Sequence, residues 1–205
     1  MITTCQFING FAEIFPAQQN AAPWQITNNL PAILLQLIEK LGSEYEIQDG
    51  IAIHKTATIE SGVVLKAPAI ISEGCFIGTH AYLRGGVFLA KAVSIGPGCE
   101  IKTSILFNNS AAAHFNFIGD SIIGCNVNFE AGAVIANHYN ERKDKSIAVF
   151  YSNEMIATGT NKFGALVGDN ARIGANAVLS PGTILQAGTI VKRLALVDQA
   201  TGDCG

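Results

Sequence analysis

The feature that most limits what this chain can fold into is a six-residue beat. Stepping by six from Ile53 meets Ile59, Leu65, Ile71, Ile77, Leu83, Leu89, Ile95 and Ile101. Four residues after each of the first eight positions stands a small or β-branched apolar residue: Ala57, Val63, Ala69, Cys75, Ala81, Val87, Val93 and Cys99. The beat returns at Phe117, Ile123, Phe129 and Ile135, and again at Val167, Ile173, Leu179, Leu185 and Val191. A helix needs apolar residues every three to four positions and a flat strand needs alternation, so neither explains a sustained period of six. The period fits a prism. Each hexapeptide supplies one side and a corner, and three sides close a coil of 18 residues that stacks on the next at about 4.8 Å.

The spacing predicts about five coils of parallel β-helix over residues 51–195, interrupted at 103–116 and at 138–165. The second interruption holds Glu141, Arg142, Lys143, Asp144 and Lys145 and reads as a loop or extended arm. Residues 1–50 lack the beat. There, Ile33, Leu34, Leu37, Ile38 and Leu41 make one apolar face after Asn28-Asn29-Leu30-Pro31, which predicts a short helix from about Pro31 to Leu41 that caps the open end of the solenoid. Residues 196–205 read as a tail.

Charged residues are only 14% of the chain, against about 25% in an ordinary soluble protein. Another subunit is therefore expected to cover part of the surface. A net charge of −3 and the lack of a Lys/Arg cluster argue against nucleic acid as a partner. No apolar run is long enough to span a membrane and Met1–Phe15 has no basic signal region, so a cytoplasmic location is expected. The cysteines Cys5, Cys75, Cys99, Cys125 and Cys204 include no C-x-x-C pair. Cys75 and Cys99 fall on the beat and are expected to be free, buried thiols facing different walls.

Within the gap runs H-F-N-F-I-G-D-S-I-I-G-C-N-V-N-F-E-A-G-A-V-I-A-N, His114 to Asn137. This segment resembles the acetyltransferase domain of bifunctional uridyltransferase/glucosamine-1-phosphate acetyltransferases and related sugar-1-phosphate nucleotidyltransferases, with the pattern H-x-x-Y-x-G-D-x-x-I-G-x-N-V-N-x-G-A-G-x-x-x-x-N. Upstream, Leu83-Arg84-Gly85-Gly86 is similar to the family's L-R-P-G turn, and Glu100-Ile101-Lys102 to its E-x-K. The resemblance implies an all-β fold, a single-stranded left-handed parallel β-helix of hexapeptide repeats, assembled as a homotrimer with its sites between subunits. It further implies acetyl transfer from acetyl-CoA to an amino-sugar 1-phosphate, without metal.

By this resemblance His114 is the general base, since an imidazole can take a proton near neutral pH. A lone histidine at an irregular corner is otherwise more often structural, and the surrounding motif reverses that preference. Arg84 and Lys102 correspond to phosphate and sugar binders. One coil apart, they should stack on one wall, and two cations so close favour an anion between them. Phe117, Asn128, Asn137 and Lys143 would complete the sugar pocket, and Ala175 and Ala187 would line the coenzyme A channel. Three departures stand out: Phe117 replaces the family tyrosine, Glu130 replaces the first glycine of G-A-G, and His138 follows Asn137 where the family has tyrosine. The family's Gly-rich nucleotide loop is absent from residues 1–50, so this chain is not expected to make a sugar nucleotide alone. A zinc site of the kind found on related solenoids is disfavoured because His54, His80, His114 and His138 are widely spaced. The remaining alternative is a non-catalytic module that binds a sugar phosphate and works with a separate nucleotidyltransferase.

Overall fold

In a computed structural model, which describes residues 2–199, the beat becomes a three-walled parallel β-helix. The second wall shows the stack most simply: Thr58–Ile59, Phe76–Ile77, Ser94–Ile95, Ala111–Ala112, Asn128–Phe129, Arg172–Ile173 and Ile190–Val191 form one seven-stranded sheet. There are thus seven stacked coils where the spacing predicted about five. The third wall runs from Val64–Leu65 to Leu196–Val197, and the first from Ile51–His54 to Thr183–Leu185. The beat residues fill the lumen: Ile77, Leu83, Leu89, Ile95, Ile101, Ile123, Phe129, Ile135 and Leu179 are all fully buried. Cys75 and Cys99 are free and buried, as expected, on different corners. Cys75 Sγ lies 3.0 Å from the Ala90 carbonyl, and burial pushes its thiol up to about 11. The expected tail begins with a strand, Leu196–Val197, that still pairs with Val178–Leu179. Residues 200–205, with Cys204, lie outside the described residues.

The expected break at 103–116 does not exist. Arg84 stands against Lys102, 18 residues on, whereas Val87 stands against Ser104, 17 residues on. One residue has been dropped at a corner, where Gly85-Gly86 in one coil faces Thr103 alone in the next. The following coils keep the shorter spacing, as Phe117 against Glu100 and Val134 against Phe117 show. Hence the phase of the beat slips while the walls continue. Thr103 (φ 48°) and Asp120 (φ 47°) take the left-handed conformation that this tighter corner needs. At the next level of the same corner the spacing jumps, Val178 standing 44 residues after its partner Val134. The long insertion leaves and returns there. It is no extended arm: Ala148–Tyr151 and Glu154–Ala157 form an antiparallel hairpin folded back on the molecule.

Two pieces cover the outside of the first wall. Its outward positions Ala52, Ile70, Phe88, Ile105, Ile122, Leu166 and Ile184 are apolar in every coil and belong to a second core with the N-terminal segment. A short helix, α1 (Phe11–Ile14), and a long one, α2 (Pro23–Ile38), lie over this face. The inserted hairpin covers the rest, with Trp24 on Phe163 at 5.9 Å and Phe7 on Tyr151 at 5.7 Å between ring centroids. The helix therefore starts at Pro23, eight residues before the expected Pro31, and ends at Ile38. Pro23 suits the first turn, where its missing N–H has no partner to lose. Pro31 lies inside the helix, packed on Gly86. The helix covers a wall and not the open end. At that end the first coil's edge is instead paired by Tyr45–Gln48, antiparallel to Ile51–His54 through a tight turn at Asp49 (φ 49°) and Gly50 (φ 77°). No helix among the described residues is long and apolar enough to cross a membrane.

Candidate active site

The corner that loses a residue also gathers charge. The short spacing sets Gly119 beside Lys102 in register, and puts Asp120 directly after it. Lys102 Nζ donates to Asp120 Oδ2 at 2.5 Å, with the two side chains only 14% and 8% exposed. Asn137, one coil on and buried, donates its Nδ2 to the same carboxylate oxygen. His138 Nδ1 then lies 3.2 Å from Asn137 Oδ1. Gly119 makes the cluster possible, because a Cβ there would stand 2.9 Å from Asn137 Nδ2 and 2.8 Å from the Phe117 ring. Phe117 itself is half-buried on the third wall.

Arg84 stacks on Lys102 as expected, but the two do not leave an open space for one shared anion. Each has its own carboxylate. Arg84 Nε donates to Glu100 Oε1 at 2.8 Å, with a second contact from its Nη2 at 2.6 Å, while Lys102 is held by Asp120. Any anion at this corner would meet two already neutralised pairs and only the donor hydrogens they leave free.

His114 sits at the other edge of the third wall, on the corner before Phe117–Gly119. Lys102 is level with Gly119, five residues further along, up to about 17 Å of extended chain. Within one chain the histidine and the cations are apart. The turn that carries His114 is fixed from beneath by Asn116, 2% exposed, whose Oδ1 accepts the His114 N–H at 3.1 Å while its Nδ2 donates to the Glu130 and Ala133 carbonyls. The imidazole is exposed, and the neighbouring Phe115 ring is 74% exposed.

Of the other expected residues, Asn128 faces out of the second wall, in line with Ala111 and Arg172 and away from Asn137. Lys143 is exposed in the insertion. Ala175 shares the His114 corner, two coils on, since Gly132 N–H bonds the His114 carbonyl and Asn176 N–H the Ala131 carbonyl. Ala187 stands on a different corner, between the first and second walls, so the two alanines do not meet. The space beside Ala175 holds Glu130, which accepts the Ala175 N–H at 2.8 Å and takes Arg193 in a two-point pair at 2.7 Å. Arg193 holds that carboxyl below its usual range. Asn128, Glu130, Arg172, Lys192 and Arg193 border a groove of about 470 Å³ there. Among the described residues no group of three His, Cys, Asp or Glu side chains could hold a metal ion.

Sequence reasoning gave no role to Asp120, Asn116 or Glu100. The signal for Asp120 was available, since it follows Lys102 by 18 residues, the same spacing that joined Arg84 to Lys102.

No protein-family model matches the chain. Relatives do. A bifunctional sugar-1-phosphate nucleotidylyltransferase/acetyltransferase of Sulfurisphaera tokodaii is 31% identical over 155 residues, 73% of this chain and 38% of that protein. The bifunctional protein GlmU of Methanococcus maripaludis is 39% identical over 153 residues, 72% of this chain and 36% of that protein. Over about three quarters of its own length the chain is thus similar to both of these bifunctional proteins. It spans less than two fifths of the length of these relatives. GlmU of Streptococcus agalactiae matches a shorter stretch, 37% identical over 83 residues, 40% of this chain and 18% of that protein. Among solved structures, a perosamine N-acetyltransferase from Caulobacter crescentus aligns with 70% of this chain and 53% of its own at 15% identity and a TM-score of 0.21, too low to carry an argument.

Proposed function

We propose that the chain is an acetyl-CoA-dependent N-acetyltransferase that acts on an amino-sugar 1-phosphate in the cytoplasm, as a homotrimer. The observation that carries this reading is the corner where Arg84, Lys102 and Asn137 are brought together on stacked coils, in a chain related to proteins named for sugar-1-phosphate and acetyl transfer.

The chemistry needs a free amine, a nearby thioester and a donor for the tetrahedral oxyanion. In this reading the ammonium loses one proton to solvent, and the amine nitrogen attacks the thioester carbonyl as His114 takes its second proton. The C–S bond breaks and the thiolate of coenzyme A receives that proton from the imidazolium. A corner N–H stabilises the oxyanion. Asn116 supports His114 by fixing its turn. Arg84 and Lys102 bind the sugar phosphate, and Asn137 the sugar. Ala175 borders the coenzyme A channel, with Ala187 beyond it on the neighbouring corner. Because His114 and Lys102 occupy opposite edges of the third wall, the reading requires a second copy laid along that wall, so that the histidine of one subunit meets the cations of the next.

Steady-state kinetics over a panel of amino-sugar 1-phosphates with acetyl-CoA test this. His114→Ala should lower kcat by about 10²- to 10⁴-fold with the oligomer intact, because loss of a positioned base acts on the transition state. Arg84→Ala should raise KM and leave kcat close to its original value. If the wild type transfers acetyl to no member of the panel, or His114→Ala is fully active, the chain is a sugar-phosphate-binding module instead.

A further inference from the structure

We propose that His138 is a specificity-determining residue, an acceptor that reads a hydrogen-bond donor on the sugar ring, and that Asp120 sets it to accept. The location rests on the sugar-phosphate reading above, while the tautomer follows from the contacts alone.

The argument starts at Asp120, which has only acceptors to offer as a carboxylate. Lys102 Nζ donates to its Oδ2, and that oxygen also receives the Asn137 amide. Turning the Asn137 amide over would set its carbonyl oxygen against the carboxylate, so the NH₂ must face Asp120 and Oδ1 must face the other way. What it faces is His138 Nδ1, at 3.2 Å. A carbonyl can only accept, so Nδ1 carries the hydrogen. A neutral imidazole has one N–H, which leaves Nε2 with a bare lone pair. His138 is exposed. The chain from Asp120 through Asn137 thus presents a fixed acceptor nitrogen to solvent at the end of the relay that starts at Lys102. In the resembling family pattern this position is tyrosine, whose hydroxyl can donate as well as accept. An acceptor-only nitrogen selects a substrate hydroxyl or ammonium and rejects a ring that lacks it. His114 has no such orienting partner on its ring in the contacts described, so the two histidines are set up differently.

Nitrogen-15 NMR of the full-length protein reads the tautomer directly. The His138 ring should be the Nδ1–H form in the wild type and should move toward the Nε2–H form in Asp120→Ala, which removes the oxygen that the Asn137 amide donates to. An Nε2–H ring in the wild type, or no change in the variant, overturns the relay. Calorimetric titration with amino-sugar 1-phosphates and their monodeoxy analogues reads the role. One monodeoxy analogue should bind the wild type about 10-fold or more weakly than its parent, as loss of a hydrogen bond at a built site does. The same pair should bind His138→Ala equally well, with Kd raised and kcat nearly unchanged. If the wild type binds amino-sugar phosphates but His138→Ala binds and discriminates as the wild type does, the acceptor role is wrong and the wider reading survives. If the wild type binds none of them, the wider reading falls and takes the acceptor role with it.

Discussion

At the scale of single residues, this protein holds polar groups where its fold has least room for them. Lys102 and Asp120 are nearly enclosed, and removing the carboxylate would strand an ammonium at a cost of about 3–5 kcal/mol. Here the pair orients Asn137, whose amide donates to the same carboxylate oxygen. Cys75 shows the opposite case, a titratable group kept neutral by burial, with its thiol raised from 9.0 to about 11. Below pH 9 the thiol is protonated both folded and unfolded, and its contribution is complete. Between pH 9 and 11 the unfolded chain releases the proton while the folded chain keeps it. Stability should therefore fall across that window by up to about 3 kcal/mol from this group. Cys99 and Cys125 shift in the same direction through burial, so the useful quantity is a difference. Urea unfolding at pH 8 and 10.5 should show a smaller alkaline loss for Cys75→Val than for the wild type. Equal losses would mean that the thiol ionises as freely in the folded protein as in the unfolded one.

At the scale of elements, the corner between the third and first walls repays attention because every irregularity falls on it. Ala67-Pro68, Gly85-Gly86, Thr103, Asp120, the hairpin insertion and Pro181-Gly182 are successive levels of one edge. The lumen was legible because it demands one residue type at a fixed interval. The corner was not. A single deleted residue shifts the beat by one, and a period search reads that as a break though the walls continue. The first wall's cover had a signal that the six-residue search overlooked. The residue just before each lumen position is apolar on this wall in every coil, from Ala52 to Ile184, as a face buried on both sides requires. The helix on that wall crosses the corner at Gly86, where φ is +94° and a Cβ would stand 3.3 Å from the Pro31 ring and nitrogen. Gly86→Ala should thus combine backbone strain with a steric push on α2. A loss of about 1–3 kcal/mol is expected in thermal or urea unfolding. An unchanged midpoint would show that α2 does not hold to the wall there.

At the scale of the whole molecule, two of the three walls remain to be explained once the chain has covered the first. The outward positions of the second wall are mixed: Thr58, Phe76, Ser94, Ala111, Asn128, Arg172 and Ile190. Those of the third wall are Val64, Tyr82, Glu100, Phe117, Val134, Val178 and Leu196, an apolar stripe broken once by Glu100. Val64 is 44% exposed and Leu196 65%, and Phe115 and Leu194 add 74% and 79% at the edge that bears His114. In the homotrimer proposed above, this stripe is where another copy would dock. It lies between the histidine edge and the cation edge, so a copy docked on it would do what one chain cannot and bring His114 to Lys102. Val178→Lys places an unpaired ammonium in that contact without touching the lumen, because Val178 is half-buried and faces outward. In light scattering at micromolar concentration the wild type should be a trimer and Val178→Lys a folded monomer, with acetyl transfer lost although His114, Arg84 and Lys102 are all present. Ser94→Lys on the second wall should remain trimeric and active. A trimeric Val178→Lys would move the subunit contact to another face, and a fully active monomer would show that the site is complete within one chain.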